Sequence, residues 1–459
     1  MGIALSGRCS SQPPRLPYLQ AHGVQGRLGP APGLISHRRG GGRNIQIPRR
    51  ARAPAINLQL RIFLLTGRCA SVKKPCGRLA AQGGPPSPSL LVCPGREGCS
   101  VKEAGHASGV NSPGRVNPQC ELCTCDLPGI PATPLLWMTD EAHGIRLGVV
   151  PAAGGELTSL QVRLAGGWTE LLHRARAYDA WPCPATDERA PLLWPAVGRS
   201  FTSEQISDWK RTGRPPAQNR YQVGGKDYEI DVHGFARNLP WQLDSYGTRE
   251  GSAYVRCSIS ASTDTLRIYP FQFNISTTYS LGGGGIAIEY EVVAGQNGCP
   301  MPFSIGNHLS LRMPFTSQGQ FEKCTLRTPG SVIWQQNALC LLSGERTAVD
   351  LSSPTPVSRK ELLDTVLGGF PRGQVWVELD DPANLRLRVS QSQKNLDGKM
   401  LAAEEDFYFV FWGDPALQYF CPEPWIGRPN SLNTGEGCVC LDPGQRFLWE
   451  IRLAPVVRA

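Results

Sequence analysis

The sequence predicts an all-β protein, one large antiparallel β-sandwich preceded by a disordered, basic N-terminal head, and three observations carry that prediction. From Gly144 onward, short runs rich in Val, Ile, Tyr, Phe and Thr alternate with turn clusters, and hardly any stretch has helical period. Neither an internal repeat nor a Gly/Pro/Ser-rich linker interrupts this body, so its many strands point to two sheets packed face to face in one domain, with a barrel or two tandem sandwiches as alternatives that share the pattern. Before it, residues 1–137 contain no apolar pattern that holds a helical period for two turns or alternates for six residues.

The head holds 17 Lys+Arg against 4 Asp+Glu, and the rest of the chain 30 against 34, so the whole excess of +9 over 459 residues resides in the head. Overall basicity is therefore no argument for nucleic-acid binding by the body. Stretches such as "GPAPGLISHRRGGGRNIQIPRRARAPA" cannot bury enough apolar surface to offset the ~1–2 kcal/mol per residue that backbone ordering costs. The longest apolar run, "INLQLRIFLLTG", contains Arg61 and is far shorter than the ~20 residues that cross a bilayer, so no membrane association is expected. No charged, apolar and small-residue segments follow one another as in a secretory signal, and an Arg-rich, acid-poor leader of this length lacks the amphipathic spacing of a transit peptide. Met138 opens "MTDEAHGIRLGVV", an ordinary protein start, so the head reads either as disorder or as an over-extended reading frame, and the domain is set at 138–459. "CELCTC" (Cys120, Cys123, Cys125), with Cys99 and His106 upstream, has no second CxxC or HxxxH at usable spacing, and no metal is expected there. Eight of the 16 cysteines precede Met138; in the body they are scattered singly, as at Cys257, Cys324 and Cys340, which fits buried thiols in a reducing, cytoplasmic compartment.

Within the body, "FQFNISTTYSL" places Phe271, Phe273, Ile275, Thr277 and Tyr279 on one face, and "GIAIEYEVV" does the same with Ile286, Ile288, Tyr290 and Val292. The glycines from Gly282 to Gly285 between them form a hairpin connection; no Lys-Ser/Thr pair follows to make them a phosphate cradle. "SRKELLDTVLGG", near 358–369, is the best helix candidate, short and stopped by glycine. "FYFVFWG" (407–413) is apolar on both faces, as a covered central strand would be, and "GQRFLWEIRLA" alternates again.

Four groups stand out for their chemistry. His233 lies in "VHGFAR" and His308 in "PFSIGNHLSL", flanked by Asn307; each suits a hydrogen-bonded structural role as well as acid/base work. Glu423, in "FCPEPWIGRPN", sits between two prolines beside Trp425, a setting that orients and partly desolvates a carboxylate. Arg199 follows a tight glycine turn in "LLWPAVGRS", where its fork could grip hydroxyl or phosphate oxygens or form a surface ion pair.

Taken in order, "GR", "HGFAR", "YPFQF", "PFSIGNH", "EPWIG" and "LDPGQRF" resemble the aldose 1-epimerase (mutarotase) family, over about residues 144–455 and none of the head. The resemblance implies a galactose mutarotase-like supersandwich whose broad face holds a hexose and interconverts its α and β anomers. It implies Glu423 as general base on O1, His308 as general acid on O5 and His233 as a hydrogen-bonding partner near O5. It places Arg199 on a hydroxyl away from the reacting carbon. Asn307 and Arg237 are further substrate-binding candidates, and Trp425 and Trp241 suit either stacking on a sugar face or burial in the core. A reference pKa of about 6.5 lets an imidazole give and retake a proton near neutrality; neither metal nor organic cofactor is called for. The partner is thus a small sugar or sugar phosphate, and in a 6-phosphate epimerase Arg199, Lys210, Arg211 or Arg237 would meet the phosphate. A carbohydrate-binding sandwich without catalysis is the alternative of another class. Ser200 and Phe201 replace the longer "NR" continuation of galactose mutarotases, and no acidic residue gripping sugar hydroxyls is identified by pattern.

Overall fold

A computed structural model describes residues 117–127, 130–175, 188–383, 385–394 and 400–458 of the chain. Residues 1–116, and with them most of the expected head together with Cys99 and His106, lie outside the described residues. Two large antiparallel sheets dominate the rest, one of nine strands and one of eight, joined by a five-stranded sheet over residues 119–170. The alternation that predicted strands explains their stacking. Tyr279, Ile288, Val389 and Trp449 of the nine-stranded sheet and Ile305, Leu311, Phe409 and Phe411 of the eight-stranded sheet share one continuous buried core. The strands Phe273–Gly282 and Gly285–Ala294 form the expected hairpin, with Gly283 and Gly284 at φ of 60° and 76° supplying the turn. The strand Phe407–Asp414 is central, flanked by Asp364–Gly368 and Tyr419–Ile426. No helix among the described residues is long and apolar enough to cross a membrane.

Two expectations are corrected. Among the described residues the first strand starts at Gln119, ahead of the boundary placed at Met138: Gln119–Leu127 pairs with Ile130–Asp140, which buries Leu135, Leu136 and Trp137. Cys120, Cys123 and Cys125 are thus strand residues; burial alternates only over 123–127, too short a run to declare a strand. The segment expected to be a helix near 358–369 is a 3₁₀ turn at Lys360–Leu362 followed by the strand Asp364–Gly368, because pairing on both edges overrides local helix propensity. Among the described residues the longest helix is instead Ser203–Thr212, whose polar sequence offers no broad apolar stripe to announce it; Thr202 and Gln205 close a capping box at its start and Gly213, at φ 71°, ends it.

Candidate functional site

The outer face of the eight-stranded sheet carries the site. Directly paired residues share a face, so the register sets Glu423, Val410, Val366 and Trp334 in one row across four strands. Cys421, Trp412 and Asp364 form the adjacent row, and Trp425 and Tyr408 flank Glu423 on the other side. The "EPW" spacing puts Glu423 and Trp425 on the same face, where the indole Nε1 donates to Glu423 Oε2 at 3.1 Å.

His308 arrives from the neighbouring short strand Ile305–Asn307, with its backbone N–H bonded to the Pro191 carbonyl. Gly306 makes the approach possible, since a Cβ there would lie 2.6 Å from the Trp425 ring. His308 Nε2 faces Glu423 Oε1 at 3.3 Å, and both residues are nearly inaccessible, at 4 % and 2 % exposure. Burial pushes the Glu423 carboxyl well above the usual carboxylate range, with a further push from the Asp364 charge, while the Trp425 hydrogen bond pulls the other way. Burial, aided by the Arg237 charge, pushes the His308 imidazolium down to about 3. Both shifts act the same way, favouring the uncharged carboxyl and the uncharged imidazole.

His233 comes from a loop. It stands at φ 65° and is followed by Gly234 at φ 73°, two successive left-handed residues that turn the chain back on itself. A side chain at position 234 would strike the Trp194 carbonyl at 2.1 Å, which explains the "HG" pair. His233 N–H donates to the Gly198 carbonyl and Gly198 N–H donates to His233 Nδ1, fixing a neutral ring whose one hydrogen lies on Nε2. Burial, then the charges of His308, Arg237 and Arg199, hold its imidazolium well below the ordinary value. The ring centroid lies 5.9 Å from that of His308 and 5.7 Å from that of Trp425. The three groups, separated by up to 190 positions in the chain, thus meet in one place.

Arg199 is exposed beside this cluster, and its carbonyl accepts from Asn430 N–H, which ties the loop down. Arg237 is buried behind it, with Nη1 donating to the Val232 and Gly234 carbonyls of the His233 turn. Lys210 and Arg211 lie exposed at the end of the helix Ser203–Thr212, where Arg211 pairs with Asp208. Two expected substrate contacts are corrected. Asn307 turns its amide inward to the Ala190 carbonyl and the Tyr290 hydroxyl, both at 2.9 Å, because neighbours in a strand point to opposite faces. Trp241 packs in the main core with Nε1 bonded to the Ala236 carbonyl. Trp425 is at the site but only 4 % exposed. The exposed indole on this face is Trp412, at 42 %, beside Asp364. Asp364 is an acid that no motif marks, hidden in the segment whose composition predicts a helix.

Two stacked antiparallel sheets with a buried Glu–His pair on the outer face of one of them define a β-sandwich. The chain belongs to the aldose 1-epimerase family, whose model matches residues 215–454. Protein LacX of Lactococcus lactis is 26 % identical over 289 residues, covering 61 % of this chain and 85 % of the relative. The structure of the Slr1438 protein from Synechocystis sp. PCC 6803 superposes with TM-score 0.55 at 25 % identity, covering 71 % of this chain and 96 % of that one. A galactose mutarotase-like protein from Clostridium acetobutylicum shares the fold at TM-score 0.58 and 18 % identity, over 74 % and 99 % of the two chains.

Proposed function

We propose that the protein is an aldose 1-epimerase that interconverts the α and β anomers of a hexose by ring opening and reclosure. One observation carries the reading: Glu423 and His308 face each other at 3.3 Å, buried, with the His233 ring close by. Opening a pyranose requires a proton to leave O1 while another reaches O5, so the site must supply one base and one acid. A pair holding a single proton is matched to that need. When the sugar hydroxyls replace the 3.3 Å contact, the pair divides into carboxylate and imidazolium; Glu423 takes the O1 proton and His308 protonates O5. His233, with Nε2–H fixed outward by the Gly198 amide, donates to the ring oxygen region without changing its own protonation. The aldehyde rotates about C1–C2 and closes on its other face, and the two residues exchange tasks. Positioned proton transfer of this kind contributes about 10²- to 10⁴-fold. Asp364 grips sugar hydroxyls, and the exposed face of Trp412, rather than Trp241 or Trp425, supports the ring. Arg199 meets a hydroxyl at the rim.

NMR of freshly dissolved α-glucose, α-galactose and their 6-phosphates, with and without the full chain, tests the reading. Accelerated exchange of a free hexose is expected. Acceleration of the 6-phosphates alone, lost on Arg199→Ala, would reassign the substrate to a hexose 6-phosphate. A folded protein that binds sugar but accelerates none of the four would leave a non-catalytic binding sandwich.

A further inference from the structure

Ser310, two residues beyond His308, is wholly buried, and its hydroxyl oxygen has three polar neighbours: His308 Nδ1 at 3.2 Å, the His308 carbonyl at 3.2 Å and Cys421 Sγ at 3.3 Å. A hydroxyl has one hydrogen and two acceptor positions. The carbonyl can only accept, so the hydroxyl hydrogen goes there, and the Cys421 thiol fills one acceptor position as a donor. The remaining position faces Nδ1, which must then carry the hydrogen of the neutral ring. That leaves the Nε2 lone pair aimed at Glu423 Oε1. The reverse arrangement, with the hydroxyl donating to Nδ1, would withdraw a hydrogen bond from a buried carbonyl. It would also fix a hydrogen on Nε2, and a neutral ring that gave up that hydrogen would become an imidazolate.

Building on the acid/base reading above, we propose that Ser310, supported by Cys421, is a positioning residue that holds His308 in its Nδ1–H tautomer, so that Nε2 and Glu423 share one mobile proton. The two histidines of the site are then locked in opposite tautomers by different devices. A backbone amide at His233 Nδ1 makes that ring a permanent Nε2–H donor, and a serine hydroxyl at His308 Nδ1 leaves Nε2 open to receive and return a proton. The titratable and charged groups facing His308 are Glu423 and Cys421 from the strand Tyr419–Ile426, His233 from its loop and Arg237 from the turn behind; Asp364 acts through Glu423.

Nitrogen-15 NMR of the histidine rings in the full chain reads the tautomers without reference to turnover. A neutral His308 with protonated Nδ1 and a neutral His233 with protonated Nε2 are expected; protonated Nε2 on neutral His308 overturns the proposal even if no variant folds. In Ser310→Ala, a population with Nε2 protonated appears, kcat falls at least about tenfold while KM stays within about twofold, and the acid limb of the pH profile moves; Ser310→Thr restores the wild-type tautomer and limb. Wild-type ring spectra and an unmoved pH profile in a folded Ser310→Ala protein would reduce Ser310 to packing. If the wild type turns over no sugar, the epimerase reading falls and the tautomer result stands; if it does and His308 has the other tautomer, only this proposal falls.

Discussion

Replacing Glu423 with glutamine separates chemistry from architecture, because the amide reproduces both contacts of the carboxyl. Its oxygen accepts from Trp425 Nε1, held at 3.1 Å in the wild type, and its NH₂ donates to the Nε2 lone pair of His308, 3.3 Å away. The variant therefore folds, yet it can neither take the O1 proton nor return it. The expected loss in kcat is about 10²- to 10⁴-fold, which corresponds to ~3–5 kcal/mol of transition-state stabilisation. Stability moves the opposite way. Burial raises the carboxyl of folded Glu423 above its unfolded value, so its contribution is fully present below the unfolded pKa and is lost as pH rises through the folded one. Each pH unit separating the two values is worth ~1.4 kcal/mol. Glutamine has no such loss. Thermal melts at pH 8 should show the variant more stable than the wild type, and the gap should close as pH approaches 4. A Glu423→Gln protein that turns over within about threefold of wild type, or one that melts below it at pH 8, would refute the account of a buried, working carboxyl.

Asp364→Asn should raise KM at least about tenfold, with a smaller change in kcat, if the acid grips the sugar; removing its charge also lowers the Glu423 pKa, so the limb that titrates Glu423 moves to lower pH, as anomer exchange measured across pH would show. Gly234→Ala should abolish soluble protein or cost several kcal/mol in denaturant melts, because φ 73° and the 2.1 Å approach to the Trp194 carbonyl both exclude a side chain. A chain begun at Met138 loses Gln119–Leu127 and the buried Leu135, Leu136 and Trp137, where truncating one such leucine to alanine already costs about 2–5 kcal/mol. Its melting temperature should fall sharply against a chain begun at residue 117, and equal melts would return the boundary to Met138.

Much of the fold was legible because several of its strands alternate clearly. Gly285–Ala294 buries every second residue without exception, and the pattern alone named its inward face. Glu423, His308 and His233 stood out because prolines, glycines and a tryptophan surround them, residues that mark constrained backbone. Asp364 was hidden for the reason that made the helix reading fail. A strand of five residues, entered from a 3₁₀ turn, contains too few alternations to declare itself, and only pairing with Phe407–Asp414 fixes which way its acid points. Asn307 misled because sequence proximity to His308 suggested shared purpose, whereas adjacent residues of a strand face opposite sides. Ser310 and Cys421 had no signal at all, since their meeting depends on two segments that are 111 positions apart.

On the proposed epimerase reading, the inaccessible Glu423–His308 contact would govern where hydrogen travels during turnover. What leaves the anomeric hydroxyl is matched by what the ring oxygen receives, so a full cycle returns the protein to its starting inventory whichever anomer it releases. Such a catalyst has no preferred direction and no recovery step to wait for, and hydrogens drawn from the sugar can circulate inside the site without first mixing with bulk solvent.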